Sequence, residues 1–290
     1  MTDILALGEA LVDLKLINNQ ISMHAGGSVL NFSYYAEQAG TKVKFIGTIG
    51  NDFLADHIES ELRYLNSNIK PLRIGQNTTL VLIKEAGKDF IIYRGADRFL
   101  TYDTIERNWK KADIVHTSAF ALSLKPASEA ILKALKKAKE EGVLISIDPN
   151  YRKEIWKKWN AKKENLLQAL AMADYVKPSF EDAKELFGVK TPEEALKAFK
   201  NAGAKNIILS MGERGVIALT EDNEVIKVPA KKTNIVELTG AGDSLFGTVM
   251  ANIAKGYSLN EAIQEGINVA TQVIKNPKNL VRITQNFKQK

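Results

Sequence analysis

The chain contains no cysteine, which excludes disulfides, thiolate metal cages and a cysteine nucleophile. Its three histidines, His24, His57 and His116, are scattered without metal-ligand spacing. No apolar run approaches a membrane span, and the start, Met1-Thr2-Asp3-Ile4-Leu5, lacks the basic segment and long apolar stretch of a secretory signal, so a cytoplasmic protein is expected. The absence of a Gly-x-x-x-x-Gly-Lys-Ser/Thr loop argues against a P-loop enzyme, and the absence of Gly-x-Gly-x-x-Gly after the first apolar run argues against a dinucleotide oxidoreductase. Positive charge is in modest excess, 40 Lys plus Arg against 34 Asp plus Glu. It is dispersed in clusters such as Lys136-Lys137 and Lys162-Lys163 beside glutamates on helix faces, which reads as solvated surface rather than a nucleic-acid patch. An overall positive field still favours anionic nucleotides.

What remains is ordinary globular composition, 45% apolar and 26% charged over 290 residues, enough for one large α/β domain with an extra layer or for two modest ones. Short apolar runs at 4–8, 43–49, 114–117, 143–148, 175–177 and 207–210 read as buried strands. Amphipathic patterns at 29–38, 53–65, 127–140, 161–172, 192–201, 241–255 and 260–275 read as helices. Their alternation predicts an α/β fold, a largely parallel sheet covered by helices on both faces. Two stretches, 14–25 and 72–94, break the rhythm with strand-like patterns. The second holds Leu80-Val81-Leu82-Ile83, a turn at Ala86-Gly87-Lys88-Asp89, and Phe90-Ile91-Ile92-Tyr93, a hairpin pattern. These strands are expected to be antiparallel and to form a small sheet, either a lid over the active site or a surface that pairs subunits. No linker or internal repeat divides the chain, so residues 1–290 are expected to be one domain with that lid.

The chemistry is concentrated in Thr239-Gly240-Ala241-Gly242-Asp243. Leu245, Phe246, Val249, Met250 and Ile253 follow as one helical stripe that Gly256 ends, so both glycines fall in a helix's first turn. A helix start presents unpaired N–H groups and partial positive charge, and glycine has no Cβ to hold a phosphate away from them. Asp243 would repel such a phosphate unless it takes a proton from the group attacking it. That suggests a general base in phosphoryl transfer; the competing reading is a Gly-rich turn with an ordinary first-turn acid. A second glycine pair occurs in Ala25-Gly26-Gly27-Ser28-Val29-Leu30-Asn31. Ser28 is the expected N-cap, and Asn31 lies beside the stripe Val29, Phe32, Ala36, where its amide faces a ligand or merely solvent.

Together these two stretches resemble the signatures of the PfkB family of sugar kinases, within the ribokinase-like superfamily. The first runs from Gly26 to Asn31, with Ala36 and Gly40 following, and the second is Glu237-Leu238-Thr239-Gly240-Ala241-Gly242-Asp243-Ser244-Leu245-Phe246-Gly247. The resemblance continues through Gly8-Glu9, Asp13, residues 47–52, Asp148-Pro149-Asn150-Tyr151-Arg152 and Gly212-Glu213-Arg214-Gly215. It implies a ribokinase-like, mostly parallel sheet flanked by helices with a small β-strand lid, and phosphorylation of a sugar hydroxyl that depends on ATP and Mg²⁺. In that frame Asp243 is the base, and the backbone of Gly240, Ala241 and Gly242 is the anion hole. Asp13, Gly26, Gly27, Asn31, Asn150 and Arg152 would hold the acceptor, and Arg94 on the lid would close over it. Arg152 equally suits a surface salt bridge. For the nucleotide the resemblance implies Ser179, Ser210, Gly212, Glu213, Gly215 and Asn268, although 210–215 also fits a plain tight connection and Asn268 a solvated helix position.

The chain departs from the family pattern at two places. Where the family has an Asn-x-x-Glu motif that organises Mg²⁺ and phosphates, this sequence reads Ser179-Phe180-Glu181-Asp182, leaving Asp182, through water, or Glu181 to serve a metal. Glu237 and Leu238 replace a usual Asp and Thr. In several members that Asp helps hold a monovalent cation, so dependence on K⁺ at Glu237 is open. The expected partners are a sugar and ATP, with no nucleic acid and no membrane, and a homodimer through the lid is an alternative to packing of the lid on the body. Asp13, Tyr93-Arg94, Asp148-Pro149-Asn150 and Arg152 most resemble fructokinases and 2-keto-3-deoxygluconate kinases. Asp13 favours a neutral sugar such as fructose, since a sugar acid would meet like charge, whereas Arg94, Arg98 and Arg152 favour the acid. A ribokinase or nucleoside kinase, or a binding module without turnover, are the further alternatives.

Overall fold

Ile4, Leu5, Ala6 and Leu7 are all fully buried, as expected of a strand covered on both faces. The computed structural model describes residues 3–17, 19–84 and 89–283. Its first half comprises β1 (Ile4–Leu7), β2 (Leu11–Ile17), β3 (Gln20–Gly26), α1 (Ser28–Gln38), β4 (Val43–Ile46), β5 (Thr48–Ile49), α2 (Phe53–Tyr64), β6 (Leu72–Arg73), β7 (Leu80–Lys84), β8 (Asp89–Tyr93) and α3 (Tyr102–Asn108). There follow β9 (Ile114–Ser118), α4 (Ala127–Glu140), β10 (Leu144–Asp148), α5 (Lys153–Lys158), α6 (Lys163–Leu170), β11 (Tyr175–Val176), α7 (Phe180–Phe187) and α8 (Pro192–Asn201). The chain continues with β12 (Asn206–Ser210), β13 (Val216–Leu219), β14 (Val225–Val228), α9 (Ala241–Ala254) and α10 (Leu259–Val273).

Eight strands form the main sheet in the order β14-β13-β12-β11-β10-β9-β1-β4. It is parallel from β12 to β4, and β13 and β14 add an antiparallel edge that the apolar pattern did not reveal. Alternate residues of β1 serve opposite layers. Leu5 and Leu7 join the core that includes α4, α6, α7 and α8, whereas Ile4 packs with α1, α9 and α10. Helix α9 lies against both α1 and α10, which explains why Leu245, Phe246, Val249, Met250 and Ala251 are all buried.

The strands outside this sheet form two further ladders. A four-stranded sheet is ordered β3-β2-β7-β8, with β2 parallel to β7, contrary to the wholly antiparallel arrangement expected from sequence. Within 72–94 only β7 and β8 belong to it; β6 pairs with β5 as a separate parallel ladder. Of the turn expected at Ala86 to Asp89, residues 86–88 lie outside the described residues, and Asp89 is the first residue of β8. Pairing of Asp13 with Val81, Lys15 with Ile83, Val81 with Ile92 and Ile83 with Phe90 puts these six side chains on one face of the sheet. Among the described residues no helix is long and apolar enough to cross a membrane.

Candidate active site

The carboxyl ends of β1, β9 and β10 and the starts of α1 and α9 converge on one cavity of about 220 Å³, the edge where open parallel sheets bind ligands. Its polar wall carries Glu9, Asp13, Ser28, Asn31, Asn150, Arg152, Thr239 and Asp243. Its apolar wall is the inner face of the four-stranded sheet, Val81, Ile83, Phe90 and Ile92, with Phe120 and Ile155 beyond. A small polar molecule would thus meet several fixed donors and acceptors on one side and a water-excluding cover on the other.

Asp243 is the most tightly oriented group there. The Ser28 hydroxyl donates to its Oδ1 and the Asn31 amide to its Oδ2, each at 2.8 Å. Burial pushes its carboxyl up, opposed by those two bonds and by the charges of Lys177 and Arg152. Ser28 is therefore not the N-cap that its position suggested. Gly27, at φ 108, occupies that place, and the serine hydroxyl is directed to Asp243 instead. The Oδ1 of Asn31 is buried without a partner, an acceptor available to a ligand hydroxyl.

The start of α9 offers free donors. Gly240 is its N-cap in the left-handed region, φ 83. The Ala241 N–H reaches back to the Leu238 carbonyl at 3.2 Å and the Ser244 N–H to the Gly240 carbonyl at 2.8 Å. The Gly242 and Asp243 N–H groups are left without an acceptor among the described residues. Beneath them lies Lys177, which the sequence reading placed at the end of a buried strand and gave no role. Its Nζ is 3.0 Å from Asp148 Oδ2, and 3.0 Å from where a Cβ on Gly242 would stand. Burial by itself would lower the Lys177 ammonium; the charges of Asp148, Asp182 and Asp243 outweigh it and hold it charged. Burial pushes Asp148 up to about 7 despite Lys177. A lysine at the end of an apolar strand was the available signal, because such a group requires a carboxylate partner.

Two more carboxylates border the cavity. Asp13 is raised to about 6 by burial, offset in part by Lys15 and by a 2.6 Å hydrogen bond from the Asn279 amide. Glu9 is raised to about 7 by burial, although its oxygens accept from the Val29 N–H at 3.3 Å and the Ser118 hydroxyl at 2.8 Å. Asn279 belongs to a C-terminal segment in which no motif was apparent. Gly26 does not border the cavity; its missing Cβ makes room for the Asp13 carboxylate.

A family profile described as pfkB family carbohydrate kinase matches residues 1–280. The chain belongs to that family. It is accordingly a phosphotransferase that acts on a sugar hydroxyl. The chain is similar to the ATP-dependent 6-phosphofructokinase of Thermoanaerobacterium thermosaccharolyticum, 30% identical over 92% of this chain and 86% of that one. It is similar to fructokinase-2 of Zea mays, 28% identical over 88% and 81%. Among solved structures, the fructokinase of Halothermothrix orenii has a TM-score of 0.78 at 29% identity, covering 92% of this chain and 98% of that one. A fructokinase double mutant of Vibrio cholerae, in fructose-, ADP- and potassium-bound form, has a TM-score of 0.84 at 23% identity, covering 96% and 94%, and shares the fold.

With the PfkB frame in place, the remaining expected residues divide. Asn150, at φ 29, and Arg152 leave the end of β10 and border the cavity as expected. Arg94 does not border it. Its side chain is 3% exposed, paired with Asp97, hydrogen-bonded to the Ser123 hydroxyl at 2.8 Å, and stacked 3.9 Å from the Phe120 ring centroid. Its effect on the cavity runs through Phe120. Ser179 and Asp182 close a capping box at the start of α7: the Asp182 N–H donates to Ser179 Oγ at 3.0 Å and the Ser179 N–H to Asp182 Oδ2 at 2.7 Å. The remaining Asp182 oxygen accepts from Arg152 at 3.1 Å, so its carboxylate does not fit a direct metal ligand. Glu181 is exposed and paired with Lys184. Among the described residues no cluster of three or more His, Asp or Glu could hold a metal.

The other residues expected at the nucleotide lie away from the cavity. Ser179 and Ser210 sit side by side at the ends of β11 and β12, Gly212 and Glu213 form an exposed single-turn helix, and Gly215, at φ 83, packs where its backbone closely approaches Val228 to Ala230. Asn268 on α10 donates to Glu265 at 3.2 Å. Glu237 accepts an ion pair from Lys15 at 3.2 Å.

Proposed function

We propose that the chain transfers the γ-phosphate of ATP, taken up as its magnesium complex, to a hydroxyl of fructose, with Asp243 as general base. The observation that carries this reading is the Asp243 carboxylate, fixed by Ser28 and Asn31 on the cavity wall, beside two unpaired first-turn N–H groups, those of Gly242 and of Asp243 itself. The acceptor oxygen attacks the γ-phosphorus, the bond from that phosphorus to the β–γ bridging oxygen breaks, and ADP leaves with its electrons. The hydroxyl proton passes to Asp243. The Gly240 to Gly242 backbone and the Lys177 ammonium neutralise the developing charge, so most of the catalysis is positioning and preorganised charge. Asp13, Asn31 and Asn150 hold the sugar hydroxyls. Ser210, Gly212, Glu213, Gly215 and Asn268 form the nucleotide side, and the demand for ATP suits a cytoplasmic enzyme.

Asp13 supports a neutral acceptor, because a ligand carboxylate beside it would meet like charge. A second reading, fructose 6-phosphate, is favoured by the 6-phosphofructokinase relative and by Arg152, the only basic residue bordering the cavity among the described residues. Release of ADP measured across fructose, fructose 6-phosphate, 2-keto-3-deoxygluconate, ribose and nucleosides tests the assignment, with the highest kcat/KM expected for fructose. A higher value for the phosphorylated sugar or the sugar acid overturns the substrate while leaving the kinase. The whole chain acts as one kinase unit in this reading, with the four-stranded sheet as its lid. The outer face of that sheet exposes Ile21, Ile91 and Tyr93 at 68%, 47% and 60%, which supports a homodimer through the lid. A monomeric mass by light scattering at assay concentration would count against it.

A further inference from the structure

Lys15 is the inner-face residue of the four-stranded sheet that the phosphoryl-transfer reading leaves without a role. Its side chain is 2% exposed despite its charge, and its Nζ is 3.2 Å from Glu237 Oε2. The other Glu237 oxygen accepts the Leu238 N–H at 2.8 Å, the Thr239 N–H at 3.0 Å and the Thr239 hydroxyl at 2.9 Å. One carboxylate thus ties lid strand β2 to the turn directly ahead of Gly240. Two further carboxylates stand near this pair. Asp13 lies two residues away on the same face, and Glu237 and Asp243 both act on Asp13 as like charges. Three carboxylates in so small a volume need a fixed cation nearby.

The family resemblance puts a monovalent metal ion beside the acid that opens the second signature. The residues of this chain do not fit one there: Oε1 of Glu237 is committed to three donors, and Oε2 faces an ammonium anchored on β2. An ammonium carries the same charge as a potassium ion in a similar volume. We propose that Lys15 is a positioning residue that supplies this charge from within the chain, so that the anion-hole turn is held without a monovalent metal ion. The kinetic consequences rest on the kinase reading; the consequences for stability do not.

The test compares the full-length protein in potassium chloride and in choline chloride at matched ionic strength, by thermal unfolding without substrate and by turnover. Wild type is expected to give the same Tm and the same kcat/KM for ATP in both salts. Lys15→Ala vacates the space of the ammonium; in choline chloride it should unfold at lower temperature and lose about tenfold or more in kcat/KM, because Glu237 and the buried Asp13 lose the cation beside them. Potassium or ammonium chloride should restore a large part of both. Lys15→Met fills the space without charge and should be impaired in every salt. A purely structural lysine would show no such selective rescue. Wild-type turnover or Tm that rises with potassium overturns the proposal, as does Lys15→Ala that matches wild type in choline chloride or fails to respond to either cation. The wild-type comparison stands even if Lys15→Ala proves too unstable to purify. Absence of turnover with every sugar would defeat the kinase reading, while the unfolding measurements would still decide the role of Lys15.

Discussion

Gly26-Gly27 before α1 and Gly240 to Gly242 at the start of α9 have the same appearance in sequence, yet the space left by their missing side chains is used in different ways. At the first pair, a Cβ on Gly26 would collide with the Asp13 carboxylate, and one on Gly27 would stand 2.7 Å from the Glu9 carbonyl oxygen. The protein's own oxygens fill that space. At the second pair, a Cβ on Gly242 would meet only the end of Lys177, at 3.0 Å, beside N–H groups with no partner. In the proposed function that space takes an anion. Three of the four glycines, Gly26, Gly27 and Gly240, answer to the fold, and Gly242 is the one whose place the proposed function uses; Asp243 joins the two stretches through Ser28 and Asn31.

Breaking the junction should have the largest effect. Asp243→Asn keeps the shape but accepts no proton, so kcat is expected to fall by about 10² to 10⁴-fold, with ATP and sugar still bound in equilibrium measurements. Near wild-type kcat would remove Asp243 as the base. The same residue sets a pH prediction. As a general base it would be active in its ionised form, and burial raises its pKa, so the protonated form persists to higher pH and activity is expected to be lost as pH falls. The acid limb of kcat/KM should therefore lie above the ordinary carboxylate range.

The two glycine sites should then separate stability from activity. Gly27→Ala forces a side chain into φ 108 and against backbone, and is expected to cost about 2 kcal/mol or more in denaturant unfolding. Gly242→Ala sits in a helix at ordinary φ and should leave stability unchanged or raise it by about 0.5 kcal/mol, while a Cβ among the anion-hole donors lowers kcat/KM by about tenfold. If Gly242→Ala unfolded the protein as readily as Gly27→Ala, the distinction between the pairs would be lost. The smallest effect is expected at the cavity mouth. Arg152 is 44% exposed on its side chain and already paired with Asp182, so Arg152→Lys should cost fructose about 0.5 to 1.5 kcal/mol in KM. A loss for a sugar acid or sugar phosphate well beyond the roughly tenfold upper end of that range would identify bidentate anion recognition there.

Much of the main sheet was legible. The expected helices 127–140 and 192–201 coincide with α4 and α8, whose strong amphipathic stripes face a sheet on one side only. Helix α7 was not read as a helix, although its capping box lay in view, because Ser179-x-x-Asp182 fitted a metal motif equally well. Strands β13 and β14 were missed because each has only four residues, and β14 is the edge strand, with Val225 54% exposed. Sequence placed Arg94 at the sugar by its neighbourhood on the lid; Asp97, three residues on, claims it instead.

By itself the sequence determined the alternation of strands and helices, the two glycine pairs, the family and the acid at Asp243, since each is a local pattern of spacing or residue type. Only the tertiary structure decided which charges meet. Lys15 with Glu237, Lys177 with Asp148, Asn279 with Asp13 and Ser28 with Asp243 are pairs separated by tens to hundreds of residues. The reason is physical. Periodicity records the face on which a side chain lies, whereas the partner of a buried charge is set by which strand ends and helix starts are packed together, and no stretch of chain encodes that alone.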